Sequence, residues 1–180
     1  TEMNNETISE KTIADYVNAL QKMYLVEDVV AWSPKLRSKT EIRVTPKREF
    51  VDPSLAVAAL RTSDKDLLKD FKTFGLLFEA LCIRDLRIYM DSLDGEVFYY
   101  RDKSGLECDA ILHLHNGSWA AVEIKLGTDE SINEAAKNLL KLKEIVDMGE
   151  PKFLMVLTAT KYAYLREDGV FVVPLGCLKN

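Results

Sequence analysis

The run from Gly105 to Gly127, GLECDAILHLHNGSWAAVEIKLG, constrains this chain more than any other stretch. Two segments of alternating character flank Asn116-Gly117, a dipeptide that marks a tight turn between antiparallel strands. In the second segment Ala120, Val122, Ile124 and Leu126 alternate with Trp119, Ala121, Glu123 and Lys125. In the first, Cys108, Ala110, Leu112 and Leu114 alternate with Glu107, Asp109, Ile111, His113 and His115. Side chains on a strand point alternately to its two faces, so the pattern predicts a hairpin with one apolar face and one carrying Glu and Lys.

Register decides what faces what. A two-residue turn pairs His115 with Ser118 and mixes the faces. A three-residue loop with Gly117 in the left-handed conformation pairs Leu114 with Ser118, and the apolar side chains then share one face. The same offset sets Asp109 opposite Glu123 and Glu107 opposite Lys125. Directly opposed residues have Cβ atoms roughly 4.5–5.5 Å apart, where like charges repel. Two carboxylates so placed call for a cation. The plain alternative is a solvated strand face with Glu107 and Lys125 as an ordinary cross-strand pair.

The constellation of Asp109 with Glu123-Ile124-Lys125 resembles the PD-(D/E)XK motif of restriction-endonuclease-like nucleases. The resemblance implies that Asp109 and Glu123 are metal carboxylates, that the Ile124 carbonyl is a further oxygen ligand, and that Lys125 stands near the attacking water. Mg²⁺ takes a few carboxylate oxygens and keeps several waters. Such an ion activates water and neutralises phosphate, while a lysine adds a point charge.

The rest of the chain gives this hairpin a setting. Ser9–Tyr24 has the period of an amphipathic helix, with Ile13, Tyr16, Val17, Leu20, Met23 and Tyr24 on one side. Strands are expected at Leu25–Trp32 and Glu41–Val44, and helix, strand, loop, strand is the second half of a winged helix. Lys35, Arg37, Lys39, Arg43, Lys47 and Arg48 make the loop region basic. The two readings are a nucleic-acid contact through the wing or a solvated basic face. Asp52-Pro53 starts a short helix to about Leu60. Ser63 caps a longer helical stretch to about Met90, with Glu79 centred on its apolar stripe. Glu79 therefore either forms a buried ion pair with Arg84 or Arg87, or points at Asp109 and Glu123. A strand at Val97–Arg101, a helix at Ser131–Val146, a buried parallel strand at Phe153–Thr158 and a late strand at Val170–Leu175 complete the order. His113 stands about 13 Å along the strand from Asp109, so neither it nor His115 is expected as a ligand. Lys137 and Lys141, one helical turn apart, are read as solvated in preference to lining a phosphate track.

These elements predict an α/β fold, an αβββαβ restriction-endonuclease-like core over residues 52–180 behind a small winged-helix-like segment over residues 1–51. The runs FGLLFEALCIRDL, FYYRDKSGLECDAIL and AAVEIKLG, with SEKTIADYVNALQKMYLVEDVVAW before them, resemble the C-terminal part of a group of prokaryotic P-loop ATPases. The last domain of that group is catalogued as of unknown function. Two departures limit what transfers. Cys108 stands where the motif's name has proline, and no Q-x-x-x-Y follows Lys125, which removes support for a RecB-type exonuclease. No G-x-x-x-x-G-K-[ST] occurs, so the chain carries no P-loop site for ATP. The resemblance places that module upstream, and a start at Thr1 rather than methionine leads to the same expectation.

Two functions follow from the resemblance. One is a Mg²⁺- or Mn²⁺-dependent phosphodiesterase acting on DNA, with Glu79, Asp109 and Glu123 holding the metal and Lys125 positioning the water or steadying the phosphate. The alternative is a catalytically silent module that docks to, oligomerises or regulates the ATPase. A net charge of −5 argues against a dedicated nucleic-acid coat. Three scattered cysteines without C-x-x-C fit a reducing cytoplasm, and no apolar run reaches membrane-spanning length.

Overall fold

The hairpin forms in the register that its apolar pattern demands. In a computed structural model, which describes residues 8–34 and 45–178, β4 (Glu107–Leu114) and β5 (Trp119–Lys125) pair antiparallel with Ala110 opposite Val122 and Leu112 opposite Ala120. Leu114 N–H donates to Ser118 O and Gly117 N–H to Leu114 O, both at 2.9 Å. Gly117 has φ +86°, the left-handed value that the three-residue loop requires.

Around this pair the chain builds a mixed α/β unit. Before it come α1 (Glu10–Lys22), β1 (Val26–Val29), β2 (Lys47–Phe50), α2 (Pro53–Leu60), α3 (Asp64–Leu67), α4 (Phe71–Ser92) and β3 (Gly95–Arg101). After it come α5 (Asp129–Ile145), β6 (Leu154–Thr158), β7 (Tyr164–Leu165) and β8 (Phe171–Pro174). Six strands form one sheet in the order β3-β4-β5-β6-β8-β7, while β1 and β2 form a separate antiparallel pair. β6 runs parallel to β5, as its continuous apolar run predicts. Among the described residues no helix is long and apolar enough to cross a membrane.

Local chemistry sets the helix ends. Ser9 caps α1 by accepting from Thr12 N–H, Asp52 caps α2 by accepting from Ser54 N–H, and Thr128 caps α5 by accepting from Ser131 N–H. The single helix expected from Ser63 to Met90 is instead two. Ser63 and Asp66 close a capping box on α3, and Asp70 caps a fresh start at Phe71 by accepting from Thr73 N–H at 3.1 Å. The second cap decides the break, because Asp70 satisfies amides that a continuous helix would have bonded internally. The strand expected at Glu41–Val44 lies outside the described residues, and the partner of β1 is Lys47–Phe50.

The sheet buries both of its faces. Val122, Ile124, Ala110 and Leu112 pack with Phe78, Cys82, Ile83 and Leu86 of α4. Ile111, Trp119 and Ala121 pack with Ala135, Leu139 and Leu142 of α5. The hairpin face expected to be polar is thus largely core, with Ile111 and Ala121 fully buried. The cause is that β5 is an interior strand covered on both sides, so alternation there separates two cores rather than core from water. Glu123 goes inside with its neighbours, only 3% exposed. The segment ahead of α2 joins the same cores. Val29 is buried with the α4 cluster and Trp32 with the α5 cluster, and Ala31 forms an isolated bridge with Tyr99.

Candidate functional site

Asp109 sits where the β4–β5 ladder ends. The last paired residues are Ala110 and Val122, and beyond them the Ile124 amide donates to Asp109 Oδ2 at 2.8 Å. The contact that Ile124 makes to the site is therefore through its N–H. Lys125 Nζ lies 3.2 Å from that same Asp109 oxygen and 2.7 Å from Glu123 Oε2, so one ammonium bridges two acids. From the other side Lys47 brings its Nζ 3.1 Å from Glu79 Oε1 and 3.9 Å from Asp109 Oδ1. The result is a row of alternating charge, Glu79–Lys47–Asp109–Lys125–Glu123, drawn from α4, β2, β4 and β5.

The fold places each member for a packing reason. Glu79 lies between Phe78 and Ala80 on the stretch of α4 whose burial continues through Cys82 and Ile83, so docking the helix carries its carboxylate to the sheet. Neither arginine claims it. Arg84 bonds Asp52 and Asp85, and Arg87 pairs with Glu27. Glu107 pairs with Arg101 at 2.7 Å instead of with Lys125. After Lys125 the chain turns at Gly127, whose φ is +115° and where a Cβ would lie 2.4 Å from Thr160 Cγ2, so glycine is required to bring α5 over the site.

Asp109, Glu123 and Lys125 open onto a polar cavity of about 360 Å³ that is also lined by Ser104, Asn138 and Lys141. Lys141 therefore faces the acids, although the sequence presents it as one more solvated lysine. Glu79 and Lys47 line a different, adjoining cavity with Glu49. His113 packs its ring near Trp32 and Phe98, and His115 pairs with Asp94; neither joins the site. Lys35, Arg37, Lys39 and Arg43 lie outside the described residues. Lys47 was legible only as part of that basic stretch, and Asn138 and Glu49 carried no signal.

Burial and mutual repulsion shape the electrostatics. Burial, and then the Asp109 charge, push the Glu123 carboxyl up to about 8 despite Lys125. Burial and Asp109 likewise raise Glu79 against the pull of Lys47. Burial and Glu79 lift Glu49 to about 7. Burial works to lower both lysines, but Asp109 and Glu123 overcome it at Lys125, and Glu79 and Asp109 overcome it at Lys47, so both are held above the usual range.

The sign of the pH dependence follows. Glu123, Glu79 and Glu49 bind protons in the folded state at pH values where an unfolded glutamate, near 4.5, has lost them. Their contribution to stability is present below pH 4.5 and is lost as pH rises through the folded values. Melting should therefore be highest near pH 5 and fall toward pH 8.5, by on the order of 1–3 kcal/mol in stability. Glu123→Gln should flatten that fall. A melting temperature that rises between pH 6 and 8.5 would contradict this electrostatic picture. At the acid end stability draws on Asp102 and Asp168, and on the helix-capping Asp52, Asp66 and Asp70, all held below the usual carboxylate range. Asp102 is buried, yet bonds from Ser104 and Leu106 hold it below the usual carboxylate range, and Arg166 does the same for Asp168.

The donor set suits a hard divalent ion. Asp109 and Glu123 already share one cation between their oxygens, and both belong to the oxygen type that Mg²⁺ and Mn²⁺ select. Among the described residues no group of three His, Cys, Asp or Glu is arranged to hold a metal. That is compatible with magnesium, which commonly binds through one or two carboxylates and retains water. The fit is thus to Asp109 and Glu123, with Glu79 engaged by Lys47.

The model of a family described as Domain of unknown function (DUF4143) matches residues 74–178, more than half of the chain and the whole of the acid row except Lys47. A second, described as Domain of unknown function (DUF8612), matches residues 1–66. No curated protein matches the chain. Among solved structures, a refined half-complex from a tetradecameric assembly of Thermococcus gammatolerans McrB AAA+ hexamers with bound McrC is similar at 11% identity with a TM-score of 0.38. The alignment covers 96% of this chain and 64% of that one.

Proposed function

Starting from the fact that the chain belongs to the family described as Domain of unknown function (DUF4143), we propose that its α/β unit is a restriction-endonuclease-like domain that hydrolyses phosphodiesters in DNA with Mg²⁺ or Mn²⁺. The observation that carries this reading is the convergence of Asp109, Glu123 and Lys125 on one polar cavity, with Glu79 one lysine away. The order α4, β3, β4, β5, α5, β6 is the αβββαβ order of that fold.

When bound, a divalent ion would supply Lewis acidity toward the phosphate and lower the pKa of a water. Asp109 and Glu123 would hold it. Asp109 is oriented for the task by the Ile124 amide. Lys125, kept charged by its two acids, presents a positive point to a phosphate oxygen in the cavity. Glu123, pushed up to about 8 by burial and by Asp109, would give up its proton as the ion binds, so uptake of the metal should release protons near neutral pH. Lys141 and Asn138 would contact the flanking backbone.

In this proposal the domain works as the C-terminal part of a P-loop ATPase, its partner being that upstream module. A second reading rests on a different observation: both site lysines already neutralise the acids, as in a fold retained to dock to or regulate the ATPase. Plasmid nicking with Mn²⁺ separates the two. Hydrolysis is expected in the parent and about 100-fold less in Glu123→Gln. Equal, background cleavage in both would favour the docking module.

A further inference from the structure

Lys47 is the one member of the acid row that lies outside the DUF4143 match; it falls in the stretch that the second family matches. It sits on β2, in the β1–β2 pair, yet its ammonium lies between Glu79 of α4 and Asp109 of β4. Its setting on the site repeats that of Lys125, a single cation shared by two carboxylates. Both oxygens of Asp109 are therefore engaged, Oδ1 toward Lys47 and Oδ2 by Lys125 and the Ile124 amide. An ion entering between Glu79 and Asp109 must displace the Lys47 ammonium.

The strand that carries Lys47 pairs along its length with β1, whose Val29 is buried against α4, and further ties to it are polar. Its neighbour Arg48 pairs with Asp28 at 3.4 Å, and Tyr99 donates its hydroxyl to Thr45 O. Lys47 itself hangs 5.7 Å from the centre of the Tyr99 ring and is about one-third exposed. The β1–β2 pair is a sheet of its own, tied to the main sheet by the Ala31–Tyr99 bridge and its backbone bonds and to α4 by Arg87. It can shift without unpairing any strand of the six-stranded sheet.

We propose that Lys47 is an internal cation through which the β1–β2 pair regulates the site: a divalent ion and the Lys47 ammonium compete for Glu79 and Asp109. With Lys47 seated, an ion has Asp109 Oδ2 and Glu123 only. With Lys47 withdrawn, Asp109 Oδ1 is freed for the ion and Glu79 loses its counter-charge. Any partner that pulls on the β1–β2 pair raises the affinity for the ion, and by linkage the ion loosens the pair. This rests on the metal reading of Asp109 and Glu123 given above.

Calorimetric titration of the whole chain with Mn²⁺ tests it. Lys47→Met should bind the ion at least about tenfold more tightly than the parent, the scale on which one neighbouring charge alters proton binding at such distances. Lys47→Arg should restore the parent affinity. A second measurement needs no variant: in the parent, Mn²⁺ should speed hydrogen exchange of the amides of Lys47–Phe50 while slowing exchange around Asp109. Equal or weaker binding by Lys47→Met, or exchange at β2 that is unchanged or slowed, overturns the competition while leaving the metal site standing. No binding by the parent and by Lys47→Met alike overturns both.

Discussion

Replacing Lys125 by methionine should lower the stability of the fold by about 2–4 kcal/mol at pH 8. Among the described residues its ammonium is the only cation within bonding distance of Glu123, which is almost wholly buried, and it also contacts Asp109. Removing it leaves Glu123 buried with no counter-charge beside Asp109, which keeps only the more distant Lys47, the arrangement that breaking a buried pair penalises most. Part of the loss is recoverable by protonation, so it should shrink at pH 6, below the value of about 8 to which Glu123 is pushed. Adding Glu123→Gln to Lys125→Met should recover most of it as well. Asp109→Ala, by contrast, should cost only about 1–2 kcal/mol. It orphans the Ile124 amide but leaves Lys47 with Glu79 and Lys125 with Glu123. Urea denaturation of the four proteins at both pH values checks this ordering. A Lys125→Met loss under about 1 kcal/mol, or one that does not shrink at pH 6, would contradict it.

The second large effect lies away from the acids. Trp32→Ala should cost about 3–5 kcal/mol. Trp32 is 3% exposed, its ring centre is 5.1 Å from that of Trp119, and its amide donates to Tyr99 O at 2.7 Å. The indole fills space between the segment ahead of α2 and the face of the sheet that α5 covers. Losing it opens a cavity in the larger core and weakens the attachment that also sets Lys47 in place. Fluorescence and far-UV transitions in denaturant should coincide and shift together. A loss under about 1 kcal/mol, or two separable transitions of which the variant moves one, would show that the segment melts independently.

How much of this was legible in the sequence depends on the range of the forces involved. The hairpin register was, because only one offset joins the apolar sides and because Gly117 permits the loop that offset needs. From the register follows the approach of Asp109 to Glu123 and Lys125. The position of Glu79 near them was legible as one of two options, since an acid on an apolar stripe must find a cation. Which cation was not. Lys47 is separated from Glu79 by thirty-two positions in sequence, and nothing local tells a lysine bound for a buried acid from its solvated neighbours. The burial of the hairpin's second face was equally hidden, because alternation reports that two faces differ and not that both are dry. The break ahead of α4 turned on a single cap, Asp70, inside a run whose apolar spacing favours one helix.

Asp109 and Glu123 are proposed to share a divalent cation, and thermal melting with and without Mn²⁺ at pH 8 tests this most directly. At about ten times its Kd the ion should stabilise the parent by about 1.4 kcal/mol, a rise in Tm of about 3–5 °C, and Asp109→Asn should show none. A parent that melts at the same temperature with and without the ion, or an Asp109→Asn variant that rises as far as the parent, would contradict the account.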